Sequence, residues 1–545
     1  MNSVARKRVK SQLFSIRDAQ VECEQNRDSI RLWTPIRTIV FKSAAALLIN
    51  ACASACADNV IANPRLLSTA PSSSVSQLDG LLPVQDTVVR LPAIATFPLR
   101  ASSNNRYLVD QENVPFLMVG DAPQTLIANL SPADAEKYMA NRQRYGINTL
   151  WINLLCNFSD ACNKDATTFD GIEPFTTIGD LSTPNPTYFQ RAEEMIGLAA
   201  SHGMVVLLDP IETSSWLPLL RANGIEKAFA YGQYLGDRYK RLPNIIWLHG
   251  NDFQSWHNAA DDVLVQAVAR GIRSRDPNHI HSVELDYPTS GSLDDPTWTP
   301  LVELNAAYTY LPTYAQVLTE YNRPKFRPII MIEANYEFER AEEGSTQSLR
   351  RQEYWTMLSG ATGQVYGSAY TWRLDRGWDT KLDTPGVVQL SNMKDLFIRR
   401  RWYDLIPDQN HTVVTAGYEG FAGCVGRLTA YLGGSRLPPR LFAYLRRLTQ
   451  LSTVAFNSYA PAARTSDGSL VMAYLPSIRT ITVDMSKLAG PTVARWYDPT
   501  NSDYITANSS PYANAGSRQF TPPGNNGSGD GDWVLILETD ARLEQ

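Results

Sequence analysis

Short apolar runs alternate with segments of helical period over residues 90–405 of the sequence. Apolar runs of four to eight residues between amphipathic segments are typical of repeated strand–helix units around a parallel sheet. The predicted strands are residues 116–119, 149–154, 204–208, 245–248, 280–284, 305–308, 329–332 and 364–370. The predicted helices are residues 132–145, 189–201, 225–240, 260–274, 314–321, 348–358 and 392–404.

Eight strands with interleaved helices predict a closed (β/α)8 barrel, the TIM barrel, over residues 90–405. An open doubly wound sheet is the alternative, but no glycine-rich dinucleotide turn follows the first strand. Beyond residue 405 the pattern changes to short alternating strands at 469–475, 480–484, 492–497 and 533–537, punctuated by Gly and Pro. This change predicts a small antiparallel β-sandwich domain over residues 406–545.

The first 57 residues have the pattern of an export signal. Basic residues precede an apolar stretch over 38–49, and small residues lead to Ala55-Cys56-Ala57. We expect cleavage after Ala57; lipidation at Cys52 and an amphipathic N-terminal helix are the alternatives. The apolar stretch is too short to predict a membrane span. Because of this signal, the mature protein is expected in the periplasm or outside the cell. Residues 58–89 are rich in Ser and Pro and predict a flexible linker.

Composition narrows the possible partners. The chain has 545 residues, 43% hydrophobic, which is enough for two folded domains. A net charge of -5 and the absence of a long basic run argue against nucleic acid as a partner. Export would permit a disulfide between Cys156 and Cys162. The sequence has no zinc-ligand spacing and requires no metal or other cofactor.

Candidate chemistry lies at the ends of the predicted strands, where barrel enzymes carry their catalytic groups. Asp252 and Glu333 end the two most strand-like runs. The other polar or aromatic residues at strand ends are Asp121, Asn153, Asp209, Asn251, Glu284, Asp286, Tyr308, Tyr310, Asn335 and Trp372. So many hydrogen-bonding groups predict a site for a polyol rather than an apolar ligand.

Any one of these residues could instead be structural, since Asp and Asn often cap helices and turns. Asp209 precedes a proline and is expected to be structural or substrate-binding, while Glu337 and Glu339 are expected to be solvated loop residues. Asp252 and Glu333 differ because the fourth and seventh strands face each other across a barrel mouth. Glycosidases use two carboxyls, about 5 Å apart in retaining enzymes and about 6.5–9.5 Å apart in inverting ones.

From about Arg106 onward the chain resembles the apiosidase-like glycoside hydrolases, which are exported (β/α)8 enzymes. The segments that carry the resemblance in the barrel are 106–111, 115–121, 130–138, 144–148, 243–252 and 332–333. In the tail they are 464–476, 494–499 and 529–535, which are similar to an accompanying β-domain labelled collagen-binding. Packing against the barrel is the plainer role for that domain.

The resemblance implies that Asp252 is the acid/base and Glu333 the nucleophile of a retaining enzyme. It implies a plant cell-wall or pectin-type substrate, an oligosaccharide or polysaccharide containing apiose. Sugar contacts are expected from Asp121, Asn153, Asn251, Tyr308 and Trp372.

Two departures from the family pattern leave the substrate open. The usual Gly-Gly before the acid is Gly250-Asn251 here, and no aromatic residue follows shortly after Asp121. A non-catalytic carbohydrate-binding surface protein is one alternative. An inverting hydrolase with Asp209 or Glu284 as base is the other.

Overall fold

A computed structural model describes residues 95–156, 162–163, 165–255, 258–286, 289–418, 453–507 and 510–539. The predicted export signal (1–57) and linker (58–89) lie outside these residues. Within the described part of the chain, no helix is both long enough and apolar enough to cross a membrane.

Three short antiparallel strands open the fold and close one end of the barrel. They are β1 (Arg100–Ala101), β2 (Leu108–Val109) and β3 (Pro115–Phe116). Leu108 and Phe116 pack into the same apolar cluster as the barrel interior. The Leu108 N–H donates to Thr362 Oγ1 just before the last barrel strand, so this small sheet covers the amino-terminal end.

A nearly closed barrel of eight parallel strands follows, which confirms the predicted fold. Its strands are β4 (Met118–Asp121), β5 (Thr149–Asn153), β6 (Val205–Asp209), β7 (Ile245–Phe253), β8 (His281–Leu285), β10 (Asn305–Thr309), β11 (Ile329–Glu333) and β12 (Gly363–Tyr366). The order is β8-β7-β6-β5-β4-β12-β11-β10, and β9 (Thr289–Gly291) pairs antiparallel with β10. The gap between β8 and β10 is bridged by the Glu303 N–H, which donates to the His281 carbonyl at 2.9 Å.

The helices alternate with the strands. They are α1 (Leu126–Asn129), α2 (Pro132–Arg144), α3 (Pro186–Ser201), α4 (Thr213–Tyr239), α5 (Ala259–Arg275), α6 (Thr313–Tyr321), α7 (Thr346–Leu358) and α8 (Pro385–Ile398). Ser131 and Asn185 cap α2 and α3 with their side chains, each followed by a proline at the first helical position.

Several predicted boundaries were wrong, among them the end of the fourth barrel strand, which was predicted at 248 and lies at Phe253. The last barrel strand ends at Tyr366 rather than 370. The final helix begins at Pro385, where Thr384 precedes a proline, and ends at Ile398 instead of spanning 392–404. The helix predicted over 225–240 is the second half of α4, which is kinked at Gly224, where the backbone is non-helical with φ 76°.

Side chains along the barrel strands alternate between the interior and the helix layer, as a period of two requires. Leu207 and Leu248 belong to the interior cluster. Their neighbours Leu208 and Trp247 belong to the core beneath the helices. This alternation decides which strand-end side chains can reach the mouth of the barrel.

Two antiparallel sheets form the C-terminal part. Their strands are β13 (Leu405–Pro407), β14 (Val414–Ala416), β15 (Ala462–Thr465), β16 (Leu470–Leu475), β17 (Ile481–Asp484), β18 (Val493–Tyr497), β19 (Tyr504–Thr506), β20 (Ser517–Phe520) and β21 (Trp533–Glu538). Six strands in the order β13-β15-β16-β21-β18-β19 face three in the order β14-β17-β20 over a shared apolar core. The boundary drawn at residues 405 and 406 stays a prediction.

Helix α7 joins the barrel to the sandwich. The buried Arg350 guanidinium donates to both carboxylate oxygens of Asp532, at 2.8 and 2.7 Å, and to Asp530 at 2.7 Å. Tyr354 stacks on Tyr474 with ring centroids 5.0 Å apart. An ion pair this deeply buried stabilises only while both partners are present.

We predict that Asp532→Ala lowers stability by roughly 3–5 kcal/mol, because it leaves the buried Arg350 without its bidentate partner. Thermal unfolding with a denaturant series measures this loss. Asp467→Ala is the control, since its pair with Arg401 is exposed and such pairs contribute about 0–1 kcal/mol. Equal losses of stability in the two variants would contradict the proposed contribution of the buried pair of Arg350 and Asp532.

Candidate active site

Four polar side chains at strand ends face the barrel interior because of the alternation described above. Tyr308 belongs to the interior cluster itself. The other three follow an interior residue by an even number of positions, and they are Asn153, Asp209 and Glu284. All four are buried. They form a polar floor at the carboxyl ends of β5, β6, β8 and β10.

The end of β7 adopts a left-handed backbone that breaks the alternation. Gly250, Asn251 and Asp252 have φ values of 108°, 64° and 57°. A side chain at position 250 would meet the Glu284 carbonyl oxygen at 2.2 Å, so glycine is required there. The Thr213 hydroxyl, at the start of α4, donates to the carbonyls of Gly250 and Asn251 at 2.7 and 3.1 Å. These contacts hold the turn that places Asp252.

Asp252 lies in a largely desolvated position. Burial raises the pKa of its carboxyl, and the nearby charge of Asp286 adds to that rise. A hydrogen bond from the Tyr308 hydroxyl acts in the opposite direction. Oxygen Oδ1 of Asp252 is buried and has no hydrogen-bond partner among the described residues. A carboxyl in this setting favours its protonated form.

Glu333 ends β11 and receives two phenol hydrogen bonds. Tyr310 donates to Oε1 at 2.5 Å and Tyr336 donates to Oε2 at 3.1 Å. Burial raises the pKa of Glu333, and the charge of Asp252 raises it further. The two tyrosine donors oppose this rise, because they stabilise the carboxylate. Asp252 and Glu333 are therefore close enough to sense each other's charge.

Glu284 is a third carboxyl in this cluster. It is fully buried, and neither oxygen has a hydrogen-bond partner of normal geometry among the described residues. Burial raises the pKa of Glu284 well above its ordinary value, and the charges of Glu333, Asp252 and Asp209 raise it further. A backbone hydrogen bond from Asp252 acts in the opposite direction, and the balance favours the protonated form of Glu284.

Three other residues predicted at strand ends make contacts within the barrel or with neighbouring segments. Asn153 Nδ2 donates to Asn251 Oδ1 at 3.0 Å, which joins β5 to the β7 turn. Trp372 is half-buried and packs against the barrel interior cluster, as Tyr310 also does. Asp209 Oδ1 accepts from the Ile211 N–H at 3.1 Å, while its Oδ2 is buried without a partner in the described chain.

Asp121 does not face this site, so the expectation of a sugar contact lacks geometric support. Met118 faces the interior and Val119 the helix layer, and the alternation therefore turns Asp121 toward the helices. Its Oδ2 accepts from Tyr138 and, at 2.5 Å, from Arg142 Nε, both on α2. The residue ties β4 to α2.

Glu337 was predicted to be solvated and is instead fully buried. Its carboxylate accepts from the Tyr366 hydroxyl, from Thr384 Oγ1 at 2.6 Å and from the Gly386 N–H at 2.9 Å. The prediction was wrong because later segments of the chain supply all three donors.

Sequence reasoning gave no role to Tyr336 and Gln124. Gln124 Nε2 lies 3.4 Å from the Tyr336 hydroxyl, which in turn donates to Glu333. A polar residue three positions after a strand-end carboxylate is a signal that could have identified Tyr336. Gln124 has the same spacing after Asp121, the carboxylate that ends β4, so the same signal applies to it.

The predicted pairing of Cys156 with Cys162 is present as a disulfide. The Cys156 carbonyl accepts from Trp216 Nε1 at 2.9 Å, which fixes the loop after β5 against α4. Across the described ranges, no group of three or more His, Cys, Asp and Glu side chains is arranged to hold a metal ion.

Solved structures share this architecture. A glycoside hydrolase is similar with a TM-score of 0.65 and 21% identity, over 82% of this chain and 97% of its own. A glycoside hydrolase family 5 structure from Bacteroides vulgatus ATCC 8482 is similar with a TM-score of 0.64 and 20% identity, over 81% and 93% of the two chains. The fold is thus that of glycoside hydrolase barrels.

A match to a family model identifies the family. The model described as "Apiosidase-like, catalytic domain" matches residues 102–404, more than half of the chain. The protein belongs to this apiosidase-like family and is a glycoside hydrolase. A second model, "Putative collagen-binding domain of a collagenase", matches residues 452–538. A search of curated protein sequences gives no match.

We predict that Glu284→Gln keeps kcat within roughly threefold of wild type, because an amide replaces a carboxyl that is already neutral. Glu284→Asp, which keeps the acid but shortens it, serves as the matched variant. Steady-state kinetics of both proteins on one substrate test the expectation. A loss of several orders of magnitude in Glu284→Gln would mean that Glu284 works as a charged base.

Proposed function

We propose that the protein is a retaining glycoside hydrolase in which Asp252 is the acid/base and Glu333 the nucleophile. The observation that carries this proposal is that the tyrosines bonded to the two carboxyls touch: Tyr308, which bonds Asp252, and Tyr310, which bonds Glu333, have ring centroids 5.7 Å apart. In keeping with this proximity, the charge of Asp252 raises the pKa of Glu333. Two carboxyls that share one pocket at opposite strands can act on a single glycosidic bond.

In the first step Asp252 donates its proton to the glycosidic oxygen while Glu333 attacks the anomeric carbon. The bond to the leaving group breaks, and a covalent glycosyl-enzyme ester forms on Glu333. In the second step Asp252, now a carboxylate, takes a proton from water. The water oxygen attacks the anomeric carbon, and the Glu333 carboxylate leaves.

This sequence requires that the pair share one proton, with the proton on Asp252. Two buried carboxyls disfavour double ionisation because of their like charges. Tyr310 and Tyr336 both donate to Glu333, so the negative charge is better stabilised there. Burial and the charge of Asp252 raise the pKa of Glu333 to about 8 in the free protein, so the two tyrosine donors have to offset that rise for the proton to lie on Asp252.

The proposed substrate is a plant cell-wall or pectin-type glycan that contains apiose, in line with the family. The site suits a sugar with several hydroxyls, because Asn153, Asp209 and Asn335 each bury an oxygen without a partner in the described residues. Such atoms are satisfied when a polyol supplies donors. Export of the chain to the substrate is part of this proposal.

An inverting mechanism is the second candidate, and Glu284 is the observation that favours it. Its unpaired carboxyl lies within charge range of both Asp252 and Glu333. Proton NMR of the first-formed sugar anomer separates the two mechanisms. An inverted product would exclude Glu333 as nucleophile.

We predict that Asp252→Asn and Glu333→Gln each lower kcat by roughly 10³-fold or more, because each removes a group that acts in the transition state. Kinetics on a pectin-derived oligosaccharide measure the loss. Azide should restore turnover to a small-residue variant of Glu333 by replacing the missing nucleophile.

A binding measurement distinguishes the proposed enzyme from a carbohydrate-binding protein that has no turnover. Calorimetry should show that Glu333→Gln still binds the oligosaccharide that wild type cleaves. Equal binding by wild type and both variants, with no sugar released by any of them, would exclude the enzyme.

We predict that Tyr336→Phe moves the acidic limb of the kcat/KM profile to higher pH. Glu333 must be ionised to attack, and loss of a donor to its carboxylate raises its pKa, so activity is lost earlier as pH falls. The basic limb, set by the proton on Asp252, should change less. Tyr403→Phe, at the other end of the barrel, should leave both limbs in place.

A further inference from the structure

Two exposed aromatic side chains stand together on the loops that follow β11 and β12. Phe338 is 49% exposed and Tyr370 is 41% exposed. Their ring centroids lie 5.3 Å apart with the planes inclined by 57°. Single exposed aromatics are common on protein surfaces, but a contacting pair at the active end of a barrel is not explained by packing alone.

The backbone holds Phe338 outward at an energetic cost. Its φ is 65°, a left-handed value that a bulky residue seldom adopts. The preceding Glu337 anchors the loop through its buried carboxylate. On the other side the Gly344 N–H donates to the Arg340 carbonyl at 2.7 Å, and a side chain at Gly344 would meet that same oxygen.

The pair adjoins the catalytic groups. The Arg340 guanidinium lies 4.5 Å from the ring centroid of Tyr310, whose hydroxyl donates to Glu333. Glu339, next to Phe338, is close enough to Glu333 to influence its charge. On the β12 side, Trp372 lies two positions after Tyr370 and packs on the barrel interior.

Two of the aromatic side chains on the loop after β12 also lie next to cations. Lys381 Nζ lies 5.1 Å from the Tyr370 ring centroid and the Arg373 guanidinium 5.3 Å from that of Trp372. Cations above these rings fix their orientation. Flat faces held in this way suit the apolar face of a pyranose ring.

We propose that Phe338 and Tyr370 form a subsite that binds a sugar ring of the substrate beyond the bond that is cleaved. This subsite rests on the proposed function, because the cleft is taken as the place of cleavage. The ligand is an extended oligosaccharide, recognised through stacking of a sugar ring on the aromatic pair. In this proposal the strained backbone of Phe338 serves to hold its ring where a sugar can stack on it.

The test compares a pectin-derived, apiose-containing oligosaccharide with a 4-nitrophenyl apioside, which has a single sugar ring and therefore none beyond the cleaved bond. In Phe338→Ala and Tyr370→Ala, the ratio of kcat/KM for the oligosaccharide to that for the aryl glycoside should fall roughly fivefold, through KM. Phe338→Trp, which keeps a flat face, should restore the ratio. Phe456→Ala is the control, since Phe456 is 73% exposed on the C-terminal part.

Binding by catalytically impaired enzyme keeps this test separate from the mechanism. Calorimetry with Glu333→Gln should show weaker oligosaccharide binding once Phe338→Ala is added. An unchanged affinity, or an equal loss on both substrates, would overturn the subsite. A Glu333→Gln enzyme that still turns over would instead contradict the assignment of the nucleophile, and the calorimetric comparison would still decide the subsite.

Discussion

The structure depends on a left-handed turn at the end of β7 that brings a carboxyl into the barrel mouth. Gly250 is packed against the Glu284 carbonyl, and Thr213 holds the next two carbonyls. Asn251 accepts this backbone more readily than most residues, because its short polar side chain tolerates left-handed φ values. The turn leaves Asp252 in a largely buried position, where desolvation favours the protonated acid that cleavage requires.

Burial of several carboxyls in one site costs free energy, and hydrogen bonds from the surrounding tyrosines offset part of it. Asp252 and Glu333 receive phenol donors, whereas Glu284 receives none from a side chain in the described residues. Two phenol donors stabilise the carboxylate of Glu333 and one acts on Asp252, whereas the desolvated Glu284, which lacks a side-chain donor in the described residues, favours its protonated form. An arginine at the same place would fix both carboxyls in their charged forms and remove the acid.

The barrel, its eight strands and the strand-end candidates could be predicted because local periodicity specifies them. The same periodicity, applied one residue further, would also have turned Asp121 toward the helices. It could not have placed Asp252 or Glu333, because the β7 turn and the irregular pairing at Tyr308 break the alternation there. Burial of Glu337 could not be predicted either, since its partners lie 29 to 49 positions later in the chain.

The C-terminal sandwich bears on the same site through α7. One side of this helix carries Arg350, which is clamped by Asp532. Two positions further, on the opposite side of the helix, Gln352 accepts from the Asn335 N–H at 3.2 Å and donates to the Asn335 carbonyl at 2.9 Å. Asn335 directly precedes Tyr336, a donor to Glu333. The sandwich therefore restrains the segment that follows Glu333, which gives it a physical role in the barrel.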